Sequence, residues 1–203
     1  MSKRNDTKRA CVSLGLLFIL LTAPSYVGAT EIDTDGDTII DGKERMMGTD
    51  PENRDSDGDS FDDATEIRHG YDPLNPEPKK AKKTIRVRLG KQSLGRYLGK
   101  TRLDKFVISS GRWNLPTPTG TFNIINKHPR AWSKQYGLWM PYWMGFANGK
   151  FGIHELPEWP NGYKEGRNHL GTPVSHGCIR LGEGDAKKVY AWTGVGTELV
   201  ITQ

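Results

Sequence analysis

The chain has 203 residues and a mass of 22.7 kDa, enough for one or two domains with a real core. A hydrophobic fraction of 35%, a mean hydropathy of −0.64, 24 Gly and 12 Pro exclude a polytopic membrane protein and indicate a turn-rich soluble chain. The net charge of +5 conceals three segments: residues 1–29 carry +3, residues 30–78 carry −12 and residues 79–203 carry +14.

Residues 1–29 read as a secretory signal peptide. Lys3, Arg4, Lys8 and Arg9 precede the apolar run Val12 to Leu21, and Val27, Gly28 and Ala29 offer small residues for cleavage. The run is shorter than the ~20 residues that span a bilayer, so no stable membrane insertion is expected after cleavage. The mature protein is expected in the periplasm or cell wall. Cys11 leaves with the signal, so Cys178 is the single mature cysteine. A lone thiol in an exported protein forms no internal disulfide; it is buried and inert, paired between molecules, or used.

Residues 33–54 and 55–76 align without a gap, with ten identities in twenty-two positions. Each copy puts carboxylates at relative positions 1, 3, 5, 9 and 12: Asp33, Asp35, Asp37, Asp41 and Glu44, then Asp55, Asp57, Asp59, Asp63 and Glu66. Calcium takes six to eight oxygens at ~2.3–2.6 Å, and alternate aspartates closed by a glutamate supply them. Ten metal ligands and bound Ca²⁺ are therefore expected between residues 30 and 76. The spacing departs from an EF-hand: Thr38 and Ser60 stand at the sixth position in place of glycine, and no entering helix fits before Asp33. With the closing Gly48-Thr49-Asp50-Pro51 and Gly70-Tyr71-Asp72-Pro73, the segment resembles bacterial relatives of thrombospondin type 3 repeats. Residues 77–83, rich in Pro and Lys, read as a linker.

From Thr84 the apolar residues alternate: Ile85, Val87 and Leu89; Phe106 and Ile108; Phe122 and Ile124; Leu199 and Ile201. Period two broken by Gly and Pro turns predicts antiparallel strands packed on one face. One short helix is predicted over 185–192, stopped by Gly194. The fold class is mostly β, a compact sandwich or barrel with a short helix, beside a small loop-rich calcium module. Four tryptophans, Trp132, Trp139, Trp143 and Trp159, crowd the approach to His154 and suggest a lid or a sugar platform, with Trp143 read as core. His128 and His169 receive no role.

Within this module stands Ser175-His176-Gly177-Cys178-Ile179-Arg180-Leu181, preceded by Gly152-Ile153-His154. A thiol becomes a nucleophile at neutral pH when a base takes its proton or its pKa falls, and two histidines and an arginine near Cys178 supply both means. Labelling of Cys178 by a thiol reagent at mildly acidic pH is expected if it rests as a thiolate. Together with Thr117-Pro118-Thr119-Gly120-Thr121-Phe122, Met140-Pro141-Tyr142, Asp185-Ala186 and Gly196-Thr197, residues 84–203 resemble the L,D-transpeptidase catalytic domain, also called YkuD.

The resemblance implies Cys178 as nucleophile and His154 as general base and acid, its ring oriented by the following backbone carbonyl. It implies that His176 and Gly177 shape an oxyanion site, with the N–H groups of Gly177 and Cys178 as donors, and that Ser175 and Arg180 complete the catalytic set. The substrates it implies are peptidoglycan stem peptides, and no cofactor serves catalysis. Terminal D-alanine leaves a tetrapeptide stem through a Cys178 thioester, and an amine, water or a lipoprotein resolves it. Twenty residues separate His154 from Ser175, which predicts an enlarged loop, 156–171, over the cleft, and Glu155 stands where Gly or Ser is common. No nucleic acid partner is expected, and the oligomeric state stays open. The contrasting possibility is a non-catalytic wall-binding protein.

Overall fold

The computed structural model describes residues 31–203; the expected signal peptide and Cys11 lie outside the described residues. Two short helices, α1 (Asp41–Met47) and α2 (Asp63–His69), are followed by β1 (Lys83–Arg88), β2 (Ser93–Leu98), β3 (Thr101–Ser109), β4 (Gly120–Asn123) and β5 (Asn126–Ser133). Then come β6 (Leu138–Phe146), β7 (Phe151–Glu155), β8 (Ile179–Leu181), α3 (Asp185–Trp192) and β9 (Glu198–Thr202).

The strands form one nine-stranded sheet in the order β4-β9-β1-β2-β3-β8-β7-β6-β5, curled into a half-barrel. The mostly β fold class stands. The all-antiparallel expectation does not: β1 pairs with β9 and β7 pairs with β8 in parallel. Each parallel pair needs a long crossover, and local alternation along one strand carries no record of its partner's direction. Alternation does decide the faces. Ile85 and Val87 of β1, Phe106 and Ile108 of β3 and Leu199 and Ile201 of β9 turn inward. They meet Ile153, Ile179 and Leu181, and Ala186 and Val189 of α3 complete the core. The helix spans Asp185–Trp192 as expected, and the hydroxyl of its cap, Thr193, donates to the Val189 carbonyl at 2.7 Å just before Gly194.

In the acidic repeats each Asp-rich loop leads into a helix, α1 or α2, which carries the glutamate and ends on a left-handed glycine, Gly48 or Gly70. Thr38 and Ser60 take φ of 85° and 81°, so the sixth position has the left-handed backbone that favours glycine. The repeats interlock: the Ala64 N–H donates to Asp37 Oδ2 at 3.2 Å across 27 residues. They also seat on the sheet. Buried Asp72 accepts from the Lys100 N–H at 2.7 Å and the Thr101 hydroxyl at 2.5 Å, at the β2–β3 turn, and Arg102 donates to the Met46 carbonyl at 3.2 Å. The expected linker is tied down near its C-terminal end, with the Ala81 N–H on the Gly70 carbonyl and the Gly99 N–H on the Lys82 carbonyl.

Candidate active site

His154 lies on β7, and Cys178 immediately precedes β8. Their parallel register, Ile153 opposite Ile179 and His154 opposite Arg180, closes the long insertion and brings His154 and Cys178 to one cavity of about 530 Å³. The His154 ring is 2% exposed and stacks on Trp143 at 6.0 Å. Trp143 in turn fills the space where any Gly152 side chain would stand, its ring atoms lying 2.4 Å from an added Cβ. His154 Nδ1 is 2.5 Å from the Glu155 carbonyl, which accepts only from an N–H. That assigns the proton to Nδ1 and leaves Nε2 free to accept one.

The loop before Cys178 is held from three sides. Ser175 is fully buried; its hydroxyl donates to the Cys178 carbonyl at 2.6 Å and accepts from the Gly177 N–H at 3.0 Å. The Thr117 hydroxyl donates to the Gly177 carbonyl at 2.9 Å, and Ser175 exchanges backbone bonds with Ser110 and Arg112. Gly177 has φ 109°, and a Cβ there would stand 2.5 Å from the Phe151 ring, so only glycine fits. Of the two donors expected for an oxyanion, the Gly177 N–H is already used by Ser175. The Cys178 N–H has no hydrogen-bond partner among the described residues. His176 opens on the cavity beside Tyr136, ring centroids 4.6 Å apart.

The insertion lies over the cleft as the spacing predicts. Glu158 extends the sheet by exchanging backbone bonds with Trp139 at 2.8 and 3.0 Å. Further on, Glu165 Oε1 receives Arg180 Nη1 at 2.7 Å and sits 2.6 Å from His169 Nδ1. Sequence reasoning missed Glu165 and His169, since neither stands in a motif; their i, i+4 spacing was the only signal. Trp143 is buried, as expected, and lines the cavity with Trp159 and Tyr136, whereas Trp132 is exposed, tilted against Trp139 at 4.8 Å.

Residues 82–201 match the family profile of the L,D-transpeptidase catalytic domain, YkuD. The chain belongs to this family. The YkuD protein of Bacillus subtilis is 28% identical over 131 residues, covering 63% of this chain and 71% of its own length. YciB of the same organism is 35% identical over 112 residues, 51% of this chain and 57% of its own. A crystal structure of an L,D-transpeptidase from Stackebrandtia nassauensis is 27% identical with a TM-score of 0.51, covering 80% of this chain and 75% of its own. One from Mycobacterium smegmatis, 21% identical with a TM-score of 0.53, shares the fold over 61% of this chain and 59% of its own. The chain thus spans about three-fifths of the mycobacterial chain and of YciB.

Electrostatics in the L,D-transpeptidase domain disfavour charge on both candidate groups. Burial, then the Arg180 guanidinium, push the His154 imidazole down to about 3, against the Glu155 carbonyl that raises it. Burial pushes the Cys178 thiol up, opposed by the Gly152 backbone hydrogen bond and by Arg180. Both shifts favour the neutral forms of the pair, against the preformed thiolate that mildly acidic labelling would detect. Burial also lowers the His176 pKa, with Arg112 and Arg180 adding to it.

The repeat carboxylates gather in three groups: Asp33 with Asp35 and Asp37, Asp55 with Asp57 and Asp59, and, across the copies, Asp37 with Glu44 and Asp63. Asp41 accepts from the Thr34 N–H and hydroxyl at 2.9 and 3.0 Å, and Asp63 likewise from Ser56, so these two brace the loops. Asp35 Oδ2, Glu44 Oε2, Asp57 Oδ2 and Glu66 Oε2 are buried without a partner. Burial, then the neighbouring aspartates, push Glu44 up to about 7 and Glu66 up to about 8. Orphaned, crowded carboxylate oxygens fit a hard divalent cation.

Proposed function

We propose that this protein is an exported peptidoglycan L,D-transpeptidase acting through a Cys178 thioester. The observation that carries the reading is the juxtaposition in one cavity of Cys178 and a buried His154 whose Nδ1 is tied to the Glu155 carbonyl. His154 Nε2 takes the thiol proton as sulfur attacks the carbonyl preceding the terminal D-alanine of a tetrapeptide stem. Proton and sulfur move together, because a separated thiolate–imidazolium pair is costly in this site. The Cys178 N–H faces the developing oxyanion, and Ser175, bonded to the Gly177 N–H and the Cys178 carbonyl, holds that geometry. His154 returns the proton to the departing D-alanine amine. An amine of a second stem then displaces sulfur, giving a crosslink between third residues. Water in its place makes the enzyme an L,D-carboxypeptidase, and a lipoprotein amine makes it a wall anchor.

Calcium belongs to the repeats and not to the reaction. Asp33, Asp35, Asp37 and Glu44 would hold it in the first copy and Asp55, Asp57, Asp59 and Glu66 in the second, with Asp63 between the copies. Bound there, it offsets carboxylate repulsion and fixes the loops.

Incubation with purified disaccharide-tetrapeptides, followed by mass analysis, tests the reading. Dimers lacking one D-alanine indicate crosslinking and tripeptides indicate hydrolysis. Unchanged substrate with folded wild-type protein leaves only the wall-binding alternative.

A further inference from the structure

Strands β1, β2 and β3 turn a second face outward, opposite the core. The register sets Arg86 of β1 and Lys105 of β3 on either side of Gly95, and Arg88 beside Ser93, with Lys91 beyond it. Small residues on the middle strand and long cations on its neighbours make a trough of about 170 Å³ with two charged banks. Neighbouring strands lie ~4.8 Å apart, so the banks stand roughly 10 Å from each other, and successive cations on one bank are about 7 Å apart. Gly95 is required at the floor: an added Cβ would meet the Tyr97 ring at 2.9 Å and the Asp104 carbonyl at 3.3 Å. Arg102 closes one end with its Nε buried and unpartnered. Among the described residues none of Arg86, Arg88, Lys91, Arg102 or Lys105 is in a salt bridge, although six other Lys and Arg side chains are.

We propose that this trough docks a linear phosphate polyanion without bases along β2. Guanidinium forks on the banks match phosphate oxygens, and anionic groups repeating at about 7 Å fall in step with every second residue of a strand. Single-stranded nucleic acid fits less well, because its affinity rests on aromatic stacking and the face of Tyr97 is covered by the Arg86 guanidinium at 4.2 Å. The trough shares no residue with the Cys178 cavity, so its role is a tether to an acidic polymer and does not depend on the acyl-transfer reading.

Inorganic polyphosphate is the probe, titrated against the full chain at several salt concentrations. Binding is expected to weaken steeply with salt, and Arg86→Gln/Lys105→Gln to weaken it about tenfold or more, as lost charge-assisted phosphate contacts do. Lys187→Gln/Lys188→Gln, which removes the same charge from exposed positions of α3, serves as control and is expected to bind within about twofold of wild type, since screening limits distant charges. Cys178 acylation by a soluble donor is expected to be unchanged in both variants. Equal losses in the two variants would show a net-charge effect and overturn the site. Tighter binding of polyglutamate or of an oligonucleotide would overturn the assigned chemistry. Low-salt self-association lost in the trough variant, without polyphosphate binding, would assign the face to the acidic repeats of a second copy.

Discussion

His154 and Cys178 are both penalised for carrying charge by the burial that shapes the cleft, and the sign of the pH dependence follows. The thiol pKa is raised, so the thiolate fraction grows with pH throughout the neutral range. Iodoacetamide is expected to alkylate Cys178 about tenfold faster per pH unit up to pH ~8.5 and beyond, the usual thiol value. A rate already level below neutrality would indicate a resting ion pair and contradict this electrostatic picture. Arg180 is the lever on both groups, disfavouring imidazolium and favouring thiolate, and Glu165 holds it at 2.7 Å in a pair whose side chains are 11% and 8% exposed. Glu165→Gln keeps the shape and a hydrogen-bond acceptor but leaves Arg180 uncompensated. It is expected to shift the alkylation profile towards acid and to cost about 3–5 kcal/mol of stability, as breaking a buried pair does. Thermal unfolding together with the pH profile checks it; lost stability without a shifted profile would make Glu165 purely structural. Cys178 and Ser175 were legible because their motif is contiguous, and His154 because Gly152-Ile153-His154 stands ahead of that motif in the order the family resemblance implies. Glu165 was not, because its relation to Arg180 exists only after a fifteen-residue loop folds back.

Alternation exposed the inward faces of β1, β3 and β9, since each has one buried side. It concealed β6, where Leu138 to Phe146 is apolar or aromatic almost throughout, and β5, whose side chains are half-buried or exposed and show no period. The aromatic crowding read from sequence as a lid is for the most part this hairpin, with Trp132 opposite Trp139 in register. The repeats were legible as loops but not as loop–helix units, because seven-residue helices leave little periodicity. Their joint with the sheet was invisible, resting on Asp72, which the sequence placed only in the Gly70-Tyr71-Asp72-Pro73 close of the second repeat. Asp72→Ala removes acceptors from the buried Thr101 hydroxyl and the Lys100 N–H, at an expected cost of about 1–3 kcal/mol for each group left unsatisfied. Limited proteolysis is expected to release the repeats faster from this variant; unchanged cutting between residues 77 and 83 would show that the joint is held elsewhere.

At the scale of the molecule, charge segregates into an acidic module and a basic one that meet at the β2–β3 turn. The Asp72 and Arg102 contacts couple the two modules, because a cation that fixes the repeats would also fix a seat on β3, the strand that runs on to pair with β8 beside Cys178. Calcium at about a hundredfold over its dissociation constant is expected to add about 2.7 kcal/mol to unfolding of the joined unit, and chelation to expose residues 33–76 to protease. Scanning calorimetry with calcium or a chelator distinguishes one shifted transition from a separate repeat transition. Superimposable traces would show that the repeats are an acidic spacer.

The proposed reaction would leave a covalent trace. Intact-protein mass spectrometry after brief exposure to a disaccharide-tetrapeptide, without an acceptor amine, reads it directly. The predicted adduct weighs the donor minus one D-alanine, maps to the peptide containing Cys178, vanishes in Cys178→Ala and forms ~10²–10⁴-fold more slowly in His154→Ala, the usual span of general acid–base catalysis. An adduct on another residue, or free D-alanine released at the wild-type rate by folded Cys178→Ala, would contradict the thioester mechanism.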